Sequence, residues 1–460
     1  MKPNPPVQKN QEIEVRITGL TREGMGVGRV SGYALFVHGA LPGETVRVRV
    51  ERIEKRYGYA RTLDVIEPSP ERTAPACADA APCGGCALQH ISYPAQLAWK
   101  RQWVVDAFAR IGGMEVTVAP TLGMKNPHAY RNKAVYPVRK GPDGEVLIGF
   151  FAPRSHRVVD VGSCGIQHPA AGQAVAAVRR WMKEEGVAPY DETDGTGTVR
   201  HLMVRVGFGT GEVQVVLVTN GEKLPAAESL IGTLGDSVPG LVSVAQNVNT
   251  RRDNVILGIQ NRTLWGREWI EDTLDGLTFR VGSLSFYQVN PAQTVALYRE
   301  AIGRAGLTGQ ETVVDVYCGI GTISLFAARC ADRVVGVESV CEAIRDAREN
   351  ARQNGIENVK FICEKAEEWL PEVVRDGFSP DVVLLDPPRK GCDKKLLDAV
   401  LAAKPVRVVY VSCDPATLAR DVKVLTESGE YRIEGAVQPV DMFPQTGHVE
   451  TVTLITRVKE

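Results

Sequence analysis

From Thr312 onward, five apolar runs recur with helical patterns between them, and no other feature restricts the fold of this chain so sharply. The runs are VVDVY (313–317), RVVGVE (333–338), VKFI (359–362), DVVLLD (381–386) and RVVYVS (407–412). Between them lie stretches such as CEAIRDARENARQNG (341–355) and PATLARDVKVL (415–425), whose apolar residues return every three or four positions. Strands that read as continuous apolar runs are covered on both faces, and strands alternating with helices form a parallel, doubly wound sheet. Ligands of such sheets bind beyond the carboxyl ends of the strands, so the residues that follow each run are the first to examine for chemistry.

A chain of 460 residues is too long for one ordinary core and divides into about three domains. Residues 281–460 form the doubly wound domain. Residues 8–67 read as five short strands, EIEVRITGL, GMGVGRV, YALFV, ETVRVRVERI and ARTLDVI, broken by Gly and Pro, which indicates a small β-barrel. A Pro-rich link, EPSPERTAPAC (67–77), ends it. Residues 68–280 form a central α+β domain, in which a helix near 95–112 (WKRQWVVDAFARIG) is expected to pack on the C-terminal domain.

Charge is unevenly spread. Residues 1–160 hold 22 Lys and Arg against 15 Asp and Glu, and the remainder holds 32 against 40. A basic front can hold a polyanion, although a solvated basic face has the same composition. YRNKAVYPV (130–138) interleaves Tyr130, Arg131, Lys133 and Tyr136, which suits phosphate contact and base stacking and equally describes an amphipathic strand. No stretch of about 18 uncharged apolar residues occurs, and MKPNPPVQKNQ lacks the signal-peptide pattern, so a soluble cytoplasmic protein with no membrane role is expected. A reducing cytosol does not maintain disulfides, which leaves metal binding, catalysis and packing for the ten cysteines.

Three strand ends carry candidate chemistry. In DVYCGIGTISLFA (315–327) a Gly-rich turn follows a strand and precedes a helix, where Gly319 and Gly321 let the backbone approach a ligand; Glu338 ends the next strand, a position from which a carboxylate reaches ribose hydroxyls. The turn departs from the G-x-G-x-x-G of dinucleotide sites. In LLDPPRKG (384–391) Asp386 ends a buried strand and can bond a nucleobase or an amine. In VSCDPATLARD (411–421) Cys413 precedes Asp414 as N-cap and Pro415 at the first helical position, near the positive helix end that favours a thiolate. DMFPQTGHVETVTLI (441–455) leads through a turn into a strand bearing His448 and Glu450, either of which could act as a base. Elsewhere, Cys77, Cys83 and Cys86 are spaced C-x5-C-x2-C, with Cys164 distant in DVGSCGIQHP; four such thiols also make a closed zinc site.

Taken together, SFYQVNPAQ (285–293), DVYCGIGT, LLDPPRKG, VSCDPATLARD and DMFPQTGHVE resemble the RNA uracil-C5 methyltransferase family, and within it the 23S ribosomal RNA enzymes with a TRAM domain and an iron–sulfur cluster. The resemblance spans nearly the whole chain. GMGVGRVSGYALFVHGALPGETVRVRV resembles a TRAM domain, which implies an OB-like barrel that binds RNA, with Arg47, Arg49, Arg52, Lys55 and Arg56 on phosphates. The fold implied is a multi-domain α/β protein: a TRAM barrel, a cluster-bearing central domain and a Rossmann-like methyltransferase domain. The resemblance implies Cys413 as nucleophile and Glu450 as general base. It puts Gln288, Tyr317, Glu338 and Asp386 on S-adenosylmethionine, with Gly319 and Gly321 in the turn, and makes Cys77, Cys83, Cys86 and Cys164 the ligands of a [4Fe-4S] cluster. Thr322 stands where the family has Asn. The remaining cysteines, Cys318, Cys330, Cys341, Cys363 and Cys392, are left to packing.

The chemistry of such a family explains a thiol. Carbon 5 of uracil is too poor a nucleophile to attack an activated methyl until a thiolate adds at carbon 6, and a base must later remove the carbon 5 proton. The target must be unpaired or flipped out of its helix. Competing readings are an RNA cytosine-C5 methyltransferase, whose pattern needs a cysteine where Arg389 stands, a radical methylthiotransferase, whose C-x3-C-x2-C is absent, a tRNA uracil-C5 enzyme, and a non-catalytic RNA-binding assembly factor. No obligate protein partner is implied.

Overall fold

The computed structural model describes residues 5–458. The five N-terminal strands close into a barrel in the order Glu12–Leu20, Gly26–Val30, Tyr33–His38, Tyr57–Glu67, Thr45–Ile53. Alternation in TVRVRVERI explains the closure: Val46, Val48 and Val50 fill the interior beside Val15, Ile17, Leu35 and Val37, while the arginines between them face outward. Three of the arginines expected on phosphates are engaged within the barrel. Arg47 pairs with Asp64, Arg49 with Glu12 at 2.6 Å and Arg52 with Glu54 at 2.5 Å.

A seven-stranded sheet follows, in the order Gln260–Gly266, Leu241–Val248, Val213–Thr219, Val199–Val206, Lys133–Lys140, Val146–Phe151, Val158–Asp160. Helices Pro169–Glu184 and Ala227–Ser237 cover one face, where Trp181, Leu230 and Leu234 meet Leu202, Val204 and Val215. The stacking expectation for YRNKAVYPV fails on burial. Tyr130 and Tyr136 are each 2% exposed, and the Tyr130 hydroxyl donates to Pro444 O at 2.9 Å, so both rings serve the core. The hairpin Trp269–Leu274 and Leu277–Gly282 inserts Ile270, Phe279 and Val281 into the C-terminal core, which therefore begins before residue 281.

The C-terminal sheet runs Val359–Cys363, Arg333–Glu338, Thr312–Val316, Val382–Leu385, Arg407–Ser412, Glu450–Arg457, Tyr431–Ile433, with Gln438–Val440 also pairing to Glu450–Arg457. The first five strands are parallel, as their apolar runs require, and Glu450–Arg457 enters antiparallel beside Arg407–Ser412. Apolar side chains bury both faces. One of these two cores includes Val104, Ala107 and Phe108 from the helix Tyr93–Ala107 and the π-turn Phe108–Gly112 that ends it, packed with Leu418 and Ala419. Phe108 is fully buried; truncating it to Ala would cost about 3–5 kcal/mol.

One cysteine expectation is corrected. Cys341 and Cys363 form a disulfide with Cα atoms 5.3 Å apart. The parallel register sets Cys363 opposite Glu338, and the helix Cys341–Gln353 starts three residues beyond that glutamate, which brings the two thiols together. Among the described residues no helix is long and apolar enough to cross a membrane.

Candidate active site

A cleft of about 650 Å³ opens at the carboxyl ends of the parallel strands. Gln288, Tyr317, Gly319, Glu338, Asp386, Cys413 and Glu450 all line it, so residues spread over more than 160 positions of sequence share one cavity. Each arrives by a local rule. Tyr317 leaves its strand with φ 71°, a left-handed conformation uncommon for a side-chain-bearing residue, held by Tyr317 N and Cys318 N both donating to Val337 O at 3.0 Å. Gln288 sits in an irregular segment tied at Asn132, whose side-chain amide donates to Gln288 O at 2.9 Å; two residues on, Asn290 caps the helix Pro291–Ala305. Glu338 accepts from Val340 N at 2.9 Å.

The two glycines of the turn differ. A Cβ on Gly319 would meet nothing within 4 Å, which leaves that backbone open towards the cleft. Gly321 does not line it; at φ 82° a Cβ there would lie 2.8 Å from the Phe361 ring, so packing against Phe361 and Ala347 requires this glycine. Thr322 pairs with the Tyr298 hydroxyl at 3.0 Å, and both line the cleft.

Cys413 and Glu450 meet through sheet register. Ser412 lies opposite Thr451 at the end of the antiparallel ladder, so Cys413, which follows the one, and Glu450, which precedes the other, become neighbours in the cleft. Asp414 caps the following helix, accepting from Ala416 N at 2.8 Å, with Pro415 at its first position. The thiolate expected from that helix end is overridden. Burial, then the neighbouring Glu450 and Asp386, push the Cys413 thiol up to about 12, with Arg389 pulling the other way. Burial and Asp386 likewise push the Glu450 carboxyl up to about 8, again opposed by Arg389, and burial alone raises Asp386 to about 7. Glu450 is 2% exposed and one of its oxygens has no hydrogen-bond partner. Burial and the cations Arg389, Arg22 and Lys100 lower His448 to about 4, so its ring is neutral near pH 7.

Glu338, Glu367 and Asp393 line the cleft together with Lys365, Arg389 and Lys390, so both signs of charge face it, beside the carboxyls of Asp386 and Glu450. Sequence reading missed Tyr298, Phe286, Phe443 and the cationic role of Arg389. The motifs SFYQ and DPPRKG contained two of these, but only the folded chain shows which side chains face inward.

Cys77, Cys83, Cys86 and Cys164 are all free thiols and electrostatic neighbours. Burial first, then the charges of Cys164, Cys83 and Cys77, push Cys86 up to about 11, and burial raises Cys83 and Cys164 as well. Among the described residues no three His, Cys, Asp or Glu form a group that could hold a metal ion, so neither a zinc site nor an iron–sulfur site is marked out by these four cysteines.

The parallel sheet, the Gly-rich turn and the cleft at the strand ends define a class, the S-adenosylmethionine-dependent methyltransferases. The chain matches the family described as tRNA (Uracil-5-)-methyltransferase over residues 259–458 and the TRAM domain over residues 6–63. An uncharacterized RNA methyltransferase of Halalkalibacterium halodurans is 50% identical over 455 residues, 99% of each chain. One of Listeria innocua is 48% identical over 450 residues, 98% of each. The crystal structure of Pyrococcus abyssi tRNA (uracil-54, C5)-methyltransferase in complex with S-adenosyl-L-homocysteine aligns with a TM-score of 0.77 at 29% identity, over 96% of this chain and 100% of that one. The chain belongs to this family: it is an S-adenosylmethionine-dependent RNA (uracil-5-) methyltransferase with an N-terminal TRAM domain.

Proposed function

We propose that this enzyme methylates carbon 5 of a uridine in 23S ribosomal RNA, in the cytoplasm, through a covalent Cys413 intermediate resolved by Glu450. The observation that carries the reading is the placement of Cys413, just beyond the strand Arg407–Ser412, and Glu450, on the adjacent strand, in one cleft with Asp386. On substrate binding the protons of Cys413 and Glu450 pass to solvent, the Cys413 thiolate pair forms the bond to carbon 6, and the C5=C6 pair shifts so that carbon 5 becomes enolate-like. S-adenosylmethionine, held by Gln288, Tyr317, Glu338 and Asp386, supplies when bound an electrophilic methyl on a cationic sulfur. Glu450 in its carboxylate form then takes the carbon 5 proton. The released electron pair restores the ring double bond, and the carbon–sulfur bond breaks with its pair on sulfur. Because the free site keeps both groups protonated, their ionisation is coupled to substrate binding, and Arg389 is the cation that favours it.

The 23S assignment rests on the family resemblance of the four-cysteine pattern together with the TRAM barrel. The four thiols fit a [4Fe-4S] cluster in kind: all four are free and they neighbour one another electrostatically, and such a cluster would take one thiolate at each of four irons. That cluster would cross-link the segment of Cys77 to Cys86 with the loop of Cys164. A transfer RNA substrate is the second reading, favoured by the Pyrococcus abyssi neighbour.

RNA carrying 5-fluorouridine tests the mechanism, because fluorine cannot be removed as a proton. The wild-type enzyme with cofactor becomes covalently attached to it, and Cys413→Ala does not while still binding RNA. Absence of the wild-type adduct refutes the reading. Mapping 5-methyluridine in ribosomal and transfer RNA with and without the gene decides the substrate.

A further inference from the structure

The loop from Asp441 to Val449 delivers Glu450 to its strand and puts Phe443 and His448 into the cleft. Its conformation is not self-supporting. Gln445 adopts φ 69°, where a residue with a side chain is disfavoured. Three hydrogen bonds hold it there, all from outside the methyltransferase sheet. Gln96 Nε2 donates to Gln445 Oε1 at 2.9 Å, Gln445 N donates back to Gln96 Oε1 at 3.1 Å, and Leu88 N donates to Gln445 O at 3.0 Å.

Gln96 is only 1% exposed, and its amide also donates to Ile91 O at 2.9 Å. One helical turn further along Tyr93–Ala107, Lys100 is fully buried, pairs with Asp441 and donates to Phe443 O at 3.0 Å. Tyr93 on the same helix donates to the other Asp441 oxygen at 2.8 Å. Three polar side chains of one buried helix face therefore fix the near end and the middle of the loop. A fully paired buried network of this kind imposes one arrangement, because any shift leaves a polar group unpaired. Leu88, which completes the clamp, lies two residues beyond Cys86.

We propose that Gln96 is a positioning residue for the base: it holds Gln445 in its left-handed turn and so sets the Glu450 carboxyl for removal of the carbon 5 proton. The inference rests on the function proposed above. The step it governs is the last one: the carboxylate accepts the proton, the C–H pair becomes the C5=C6 bond, and the C6–S pair leaves on Cys413 sulfur. Misplacing the base slows this step without affecting addition of sulfur at carbon 6.

The test uses the full-length enzyme, saturating S-adenosylmethionine and ordinary uridine RNA in single turnover. Gln96→Leu is expected to release product at least about tenfold more slowly, to accumulate a covalent RNA–protein adduct on denaturing gels, and to keep the wild-type KM for RNA. Gln445→Gly added to Gln96→Leu should restore much of the release rate, since glycine takes that φ without cost. Should Gln96→Leu fail to fold, the comparison of Gln445→Gly with Gln445→Val serves: the glycine variant is expected to release product at least about tenfold faster, because a β-branched residue opposes positive φ. A proportional loss of activity without adduct, wild-type release by Gln96→Leu, or equal rates in the Gln445 pair overturns the proposal. If 5-fluorouridine RNA does not trap the wild type, the failure lies in the proposed function; if it does and the Gln96 variant shows no longer-lived adduct, only this inference fails.

Discussion

Replacing Glu450 by Gln should raise the stability of the free protein at alkaline pH while removing its activity. The carboxyl is buried, has one unpartnered oxygen, and is pushed up to about 8 by burial and Asp386. A carboxyl that is harder to ionise in the folded state stabilises the fold while protonated. That contribution is complete below the unfolded value of 4.5, falls as pH rises towards about 8, and is absent above it. At about 1.4 kcal/mol per pKa unit the ceiling is roughly 5 kcal/mol. Coupling to Asp386 and entry of water into the open cleft reduce the measurable part to about 2 kcal/mol, or roughly 4–8 °C in the melting temperature of a domain this size. An amide copies the shape of the neutral acid and cannot ionise. Differential scanning fluorimetry of cofactor-free protein should therefore find the two proteins melting together at pH 5 and Glu450→Gln melting higher at pH 9. Methyl transfer by the variant should fall by about 10²–10⁴. A gap that does not widen between pH 5 and pH 9 would show that burial does not hold this carboxyl neutral.

Gly447→Ala would set its Cβ 1.6 Å from the Arg22 carbonyl oxygen, where the barrel meets the catalytic loop. It should destabilise by at least about 2 kcal/mol and depress turnover, as read by melting and by a methylation assay. Reducing Cys341–Cys363, which closes a 22-residue separation, should lower stability by up to about 3 kcal/mol and raise the thiols counted under denaturing conditions from eight to ten. Cys83→Ser and Cys164→Ser should each lower bound iron and acid-labile sulfide in anaerobically purified protein, and wild-type protein without iron would remove the cluster from the proposal.

What could be read from the chain was whatever local periodicity controls. The VRVRV alternation fixes which barrel residues face inward, and the apolar runs after Thr312 leave little choice but a parallel sheet. Strand ends followed by turn chemistry then placed Cys413, Asp386 and Glu338 at one edge. Properties set by distant neighbours were hidden. Nothing near Tyr130 in sequence reveals that Pro444 accepts its hydroxyl, and nothing near Arg47 that Asp64 neutralises it. The Cys413 thiol was misjudged for the same reason: its helix terminus is local and legible, whereas Glu450 and Asp386 reach it only through the sheet. The packing demand on Gly321 was hidden too, because motif and packing glycines look alike until Phe361 is in place. The disulfide depends on parallel register between strands, which no spacing rule gives.

The antiparallel pairing of Arg407–Ser412 with Glu450–Arg457 anchors the main chain next to the reacting sulfur and carboxyl, and the helix that carries Gln96 anchors the loop leading into that carboxyl. Adaptation to a new nucleotide address has more freedom in those parts of the surrounding modules that do not clamp this loop. Such a division lets evolution retarget the enzyme by remodelling the barrel and the central sheet while the clamping helix and the reacting pair are kept.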